Sequence, residues 1–173
     1  MKANSPGTRV ALLGMLTSLA LIFSSVEVLI PFNIGIPGIK LGIANLVVLV
    51  ALYLWSERSA LLVNLARILL AGLLFGTGMT LAYSLCGGML SLAAMAAAKR
   101  WGGLGLVGVS VLGGVFHNVG QLAVAVLLLG NLRISYYLPV LLVAGMITGV
   151  VIGLVSQRIL ALLERIGPLS GRK

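Results

Sequence analysis

The sequence predicts an all-α protein, a bundle of six transmembrane helices, and three observations carry that expectation. Apolar runs without a single charge occupy residues 10–26, 41–56, 68–98, 101–132 and 134–157, and several exceed the ~20 residues a helix needs to cross the hydrocarbon core. The composition is 60% hydrophobic and 9% charged, with a mean hydropathy of +1.19, which leaves too little polar surface to coat a water-soluble globule. Lysines and arginines gather at alternate ends of the runs, as a chain threaded back and forth through a bilayer requires.

The first helix is expected over residues 9–30. Lys2 and Arg9 ahead of an apolar stretch resemble a secretory signal, but the run continues to Ile30 without a small-x-small cleavage site and further membrane-length runs follow. Pro31 and Pro37-Gly38 close it, since proline lacks a backbone donor and glycine accepts turn geometry. A second helix follows over 41–55, ended by Ser56-Glu57-Arg58, and a third over 60–74. Residues 59–98 as one helix would measure about 60 Å, roughly twice a bilayer, so Gly76-Thr77-Gly78 must turn the chain and the fourth helix runs over 79–98. Lys99-Arg100-Trp101-Gly102-Gly103 marks the next boundary. The fifth helix spans 104–129, a loop 130–137, and the sixth helix 138–163, all within a single membrane domain covering 1–173.

Six crossings place both termini on one side. That side collects Lys2, Arg9, Arg58, Lys99, Arg100, Arg158, Arg165, Arg172 and Lys173, against Lys40 and Arg133 on the other. The positive-inside rule makes it the cytoplasm and the location the cell membrane. It also accounts for the net charge of +9, which in a soluble chain would suggest a nucleic-acid partner; none is expected here. Cys86 is the only cysteine, so no internal disulfide forms, and it reads as a small buried residue.

In lipid, close helix contact depends on small residues. Gly145, Gly149 and Gly153 form a four-residue ladder on one face of the sixth helix, and the fifth is rich in glycine as well; both read as packing within the bundle, with a partner-docking face as the alternative. Ala11, Gly14 and Ser18 make a shorter stripe on the first helix, a candidate docking surface for a partner helix.

Polar groups at membrane depth are costly and mark candidate functional sites. Glu27, Lys40, Asn45, Tyr83, His117, Asn118 and Gln121 all fall in the outer half by their count along the helices, and Arg67 falls near the midplane. Polar groups from several helices at one level predict an outward-facing pocket for a small molecule. Lys40 and Arg67 outnumber Glu27, so the ligand should carry an anionic group such as a carboxylate or phosphate. Structural explanations compete: Asn118 and Gln121 can bond neighbouring helices, His117 can be a satisfied core histidine, and Arg67 can pair with Glu27.

Catalysis is not expected. One histidine, one cysteine, no aspartate and three glutamates cannot assemble a metal cluster, a Walker loop, a nucleophile elbow or paired carboxylates, so the inventory supplies no catalytic residues, no metal site and no call for a cofactor.

Pro37-Gly38-Ile39-Lys40-Leu41-Gly42-Ile43-Ala44-Asn45 resembles the signature of the Gx transporter family, also labelled heptaprenyl diphosphate synthase component I. The stretches Arg67 to Thr77 and His117-Asn118-Val119-Gly120-Gln121 are similar to that family's third and fifth helices, and Tyr83-Ser84-Leu85-Cys86-Gly87-Gly88 to its fourth. The resemblance covers about residues 10–160 and implies one of two roles. One is a subunit like the S-components of energy-coupling-factor vitamin transporters, six-helix bundles that capture ligand and depend on a separate transmembrane coupling protein and ATPases. The other is a membrane accessory protein of isoprenoid, quinone or flavin-linked redox metabolism. A catalytic prenyl synthase holds magnesium diphosphate on aspartates, and this chain has none.

Overall fold

The computed structural model describes residues 6–29 and 42–166. Six α-helices follow in order: α1 Pro6–Leu29, α2 Asn45–Leu54, α3 Glu57–Phe75, α4 Gly78–Trp101, α5 Leu106–Leu129 and α6 Leu138–Ile166, with a 3-10 turn at Leu132–Tyr137 before α6. No strand occurs among the described residues. Five of the helices are long and apolar enough to cross a membrane, which supports a multi-pass membrane protein.

The second helix departs from expectation. It is a ten-residue helix, about 15 Å long and so half the hydrocarbon thickness; residues 42–44 before it are a turn, and residue 41 lies outside the described residues. A helix apolar on every face belongs in an interior, and nine of its residues are buried, Tyr53 being the exception. It touches each of the other five α-helices. The main core is built on it, with Val47, Leu49 and Leu52 packed among Ala20, Val63, Met95, Val109 and Ile152. By contrast α1 has only 11% of its membrane-length window buried and leans mainly on α3 and α2.

α5 lies between α4 and α6. The ladder on α6 meets α5 backbone to backbone: a methyl on Gly145 would stand 2.8 Å from the Gly114 carbonyl oxygen, one on Gly149 2.6 Å from Val111 Cα, and one on Gly153 2.8 Å from Val107 Cα. The ladder therefore serves packing within the chain. On the opposite side, a methyl on Gly120 would meet Gly87 Cα at 2.9 Å, so α4 approaches as closely.

The turns follow their residues. Ser56 caps α3 by accepting the Ser59 N–H at 3.2 Å, which starts the helix one turn before the sequence suggested. Between α3 and α4, Thr77 accepts from the Thr80 N–H at 3.3 Å while Thr80 Oγ1 accepts from the Thr77 N–H at 2.7 Å, the reciprocal box that stabilises a helix start. At the opposite end of these helices α2, α3 and α4 are tied by charge. Arg100 grips Glu57 with two hydrogen bonds, and Lys99 Nζ donates to the Leu52 carbonyl at 2.6 Å while lying 4.9 Å from the centre of the Tyr53 ring.

Candidate functional site

About 15 Å along α3 from that charged rim, the apolar interior is interrupted by Arg67, which is only 4% exposed. Its guanidinium is held by amides. Nε donates to Asn64 Oδ1 at 3.1 Å, and Nη2 donates to Asn64 Oδ1 at 2.8 Å and to Asn45 Oδ1 at 3.2 Å. Asn64 and Arg67 share one face of α3 by their spacing of three, and Asn64 is itself fixed by donating to the Gly88 carbonyl of α4 at 3.0 Å. Asn45, the first residue of α2, donates to Ser91 Oγ of α4 at 3.2 Å. Each amide thus accepts from the arginine and donates to α4, and α2, α3 and α4 are joined in one network. A methyl on Gly88 would lie 3.3 Å from Arg67 Nη2 and 3.2 Å from Asn64 Oδ1, so the bare glycine is what lets α4 approach.

α5 closes the cluster. His117 Nε2 and the Gln121 amide nitrogen are hydrogen-bonded at 2.8 Å, the amide donating and the ring accepting, and both side chains are buried. Gly42, in the left-handed region at φ +80, adjoins them: a side chain there would stand 2.9 Å from His117 Cδ2 and 3.1 Å from Asn45 Nδ2. His117 and Asn45 therefore face one another across Gly42. Gly87 plays the matching part on α4, where a methyl would meet Gln121 Cγ at 2.8 Å. Glu27 of α1 accepts the Ile43 N–H at 2.6 Å, beside Gly42.

Of the residues the sequence singles out, Asn45, Arg67, His117 and Gln121 come together here, with Glu27 at the edge. Two others lie elsewhere. Asn118 turns toward α6, where its amide donates to the Leu141 carbonyl at 2.7 Å and extends the seam that Gly114 and Gly145 begin. Tyr83 is buried among Leu122, Ala125 and Leu141. Lys40 lies outside the described residues. Ala11, Gly14 and Ser18 are exposed on α1, and nothing stands within 4 Å of where a Gly14 methyl would be. Asn64, Ser91 and Gly42 were not anticipated; for Asn64 the signal was its spacing of three from Arg67 inside an otherwise apolar helix.

Chemically the cluster offers a buried cation whose partners are neutral amides. A guanidinium carries five N–H groups; among the described residues Nη1 makes no hydrogen bond, so its donors are the ones left for an anionic oxygen, which arginine takes up in a fork. A separate groove of about 400 Å³ between α4 and α5, lined by Leu90, Ala94, Trp101, Leu112 and Phe116 among others, is apolar and involves none of these residues.

A family model described as heptaprenyl diphosphate synthase component I matches residues 16–159, a span that holds every member of the cluster. No curated protein and no solved structure matches the chain significantly.

Proposed function

This chain belongs to the heptaprenyl diphosphate synthase component I family, and from that premise and the cluster around Arg67 we propose that it is a non-catalytic membrane subunit that binds a small anionic molecule, in the manner of the S-components of energy-coupling-factor transporters. The observation that carries the reading is Arg67, a buried cation held by Asn45 and Asn64 with donors to spare. An arginine serving structure alone would be expected on a carboxylate or on helix-end carbonyls. In this reading both termini are cytoplasmic, the ligand enters from the outer face, Lys40 serves as a second cation for it, and the cluster forms the floor of its pocket. Transport would need a motor supplied by other chains. The exposed Ala11, Gly14 and Ser18 on α1, the least buried of the membrane-length helices, provide a surface that a coupling helix can approach closely.

The family's name favours a second reading, a membrane component assembled with a prenyl diphosphate synthase. In that case the catalytic carboxylates belong to the partner, because Glu27, Glu57 and Glu164 are the only acids here and magnesium diphosphate needs several oxygen ligands. Mass spectrometry of small molecules retained by the protein purified in mild detergent separates the two. A water-soluble anionic vitamin is the expected result; a polyprenyl or quinone species would put the second reading in its place.

A further inference from the structure

Serine and threonine within helices commonly return their hydroxyl to a carbonyl of the preceding turn, and this chain follows the habit. Thr17 donates to the Leu13 carbonyl at 2.8 Å, Ser18 to Gly14 at 3.0 Å and Thr148 to Ala144 at 3.0 Å. Ser84 on α4 departs from it. Only 8% of the residue is exposed, yet its hydroxyl hydrogen-bonds none of the described residues. Ser24, Ser110 and Ser156 also lack partners, but their oxygens are sealed in the interior, and Ser84 Oγ is not among them. Ser84 is the most open of the buried serines, so its hydroxyl borders room for another group.

Its place on the helix ties it to the cluster. Ser84, Gly88 and Ser91 stand at i, i+4 and i+7, on one face of α4. That face is turned to Arg67: a methyl on Gly88 would stand 3.3 Å from Arg67 Nη2, and Ser91 accepts from Asn45, which itself accepts from Arg67. Ser84 is one helical turn, about 6 Å, along α4 from Gly88. It lies on the side away from the charged rim, because Lys99 and Arg100 close the other end of α4. In the proposed function this is the side from which the ligand arrives. Arg67 brings a matching need. Its hydrogen-bond partners are the neutral Asn45 and Asn64, and Nη1 bonds none of the described residues, whereas buried charges are ordinarily paired.

We infer that Ser84 is a direct contact of the ligand's anionic group, which lies between α3 and α4 with one oxygen accepting from Arg67 Nη1 and another from Ser84 Oγ. The inference rests on the anion-binding reading above and adds the residue that fixes how the anion is turned. Two hydrogen bonds of about 2.8 Å onto the oxygens of one carboxylate or phosphate cover a step of about 6 Å along a helix. The guanidinium supplies the charge and the hydroxyl, from a different helix, supplies the direction.

Ser84→Ala tests it, because it deletes a hydroxyl that the empty protein does not use. Binding of acetate and of inorganic phosphate to the full chain in mild detergent is measured by calorimetry for the wild type, Ser84→Ala and Arg67→Met, and the thermal unfolding midpoint of each is recorded without probe. The better probe tells carboxylate from phosphate. The expected result in Ser84→Ala is binding roughly tenfold to hundredfold weaker, the scale of one hydrogen bond to a charged group. Its midpoint should equal or exceed the wild type's, since an unsatisfied hydroxyl has been removed. Binding equal to the wild type's in Ser84→Ala, or a lowered midpoint that shows the hydroxyl supporting the fold, overturns the inference; if Arg67→Met still abolishes binding, the proposed function stands. No binding of either probe to the wild type, or binding indifferent to Arg67→Met, removes the proposed function and the inference with it.

Discussion

Arg100 and Arg67 are the same side chain in two settings about 15 Å apart in depth. At the rim, Arg100 is exposed and grips the Glu57 carboxylate with both ends of its fork. In the interior, Arg67 is enclosed and grips amides. A carboxylate cancels the charge of its arginine, whereas an amide orients the guanidinium and leaves its charge in place. The rim pair fastens α3 to α4 where water is at hand; the inner cluster holds a positive charge buried away from water.

The comparison is broken most severely at Asn64. Asn64→Leu removes two hydrogen bonds to a buried cation and strands the Gly88 carbonyl contact, and leaving a buried charge without its partners costs about 3–5 kcal/mol. A large fall in the thermal unfolding midpoint, with aggregation in detergent, is expected. A midpoint like the wild type's would mean that Asn64 does not support the cation.

Arg67→Met should be milder for the fold although it deletes the central group. It leaves the Asn64 and Asn45 oxygens without their donor, about 1–3 kcal/mol for each unsatisfied group, but it also relieves the desolvation of a buried charge, which offsets much of that. Monodisperse protein without retained ligand is the expected outcome by size-exclusion chromatography and mass spectrometry. Collapse of the fold would place Arg67 among purely structural residues.

At the rim the effect should be smallest. Exposed ion pairs contribute little and are screened by salt, so Arg100→Gln should leave the melting midpoint within experimental error at 0.5 M salt and ligand retention unchanged. A loss of retention would show that the two arginines act as one system.

Much of the scaffold was legible because its signals are local. The Gly76-Thr77-Gly78 turn between α3 and α4 follows from chain length against bilayer thickness, and the Gly145, Gly149 and Gly153 ladder announces a close seam by its spacing alone. The nature of α2 was not legible. Hydropathy scores a lipid-facing leucine and a core leucine alike, so an apolar stretch of ten residues with neighbours on every side reads like a crossing. The candidate site was visible by depth but not by direction. His117 and Asn118 are adjacent in sequence and similar in polarity, yet one faces α4 and Gly42 and the other donates to Leu141 of α6, a choice made by which helices pack on α5. Asn64 escaped notice because an amide beside leucines gains meaning only from the arginine it supports.

The enclosure of α2 has a consequence for how the protein is made. Chains leave the ribosome N-terminus first at roughly 5–20 residues per second, and the helices that cover most of α2 follow it in the sequence. About 110 residues separate the end of α2 from the end of α6, so roughly 6–20 seconds pass in which a stub too short to cross the bilayer waits beside α1 and α3 with its remaining sides unfilled. Assembly is therefore completed by its last helix, and a chain stopped before α6 would expose this stub to the cell's quality-control proteases however well its first helices had inserted.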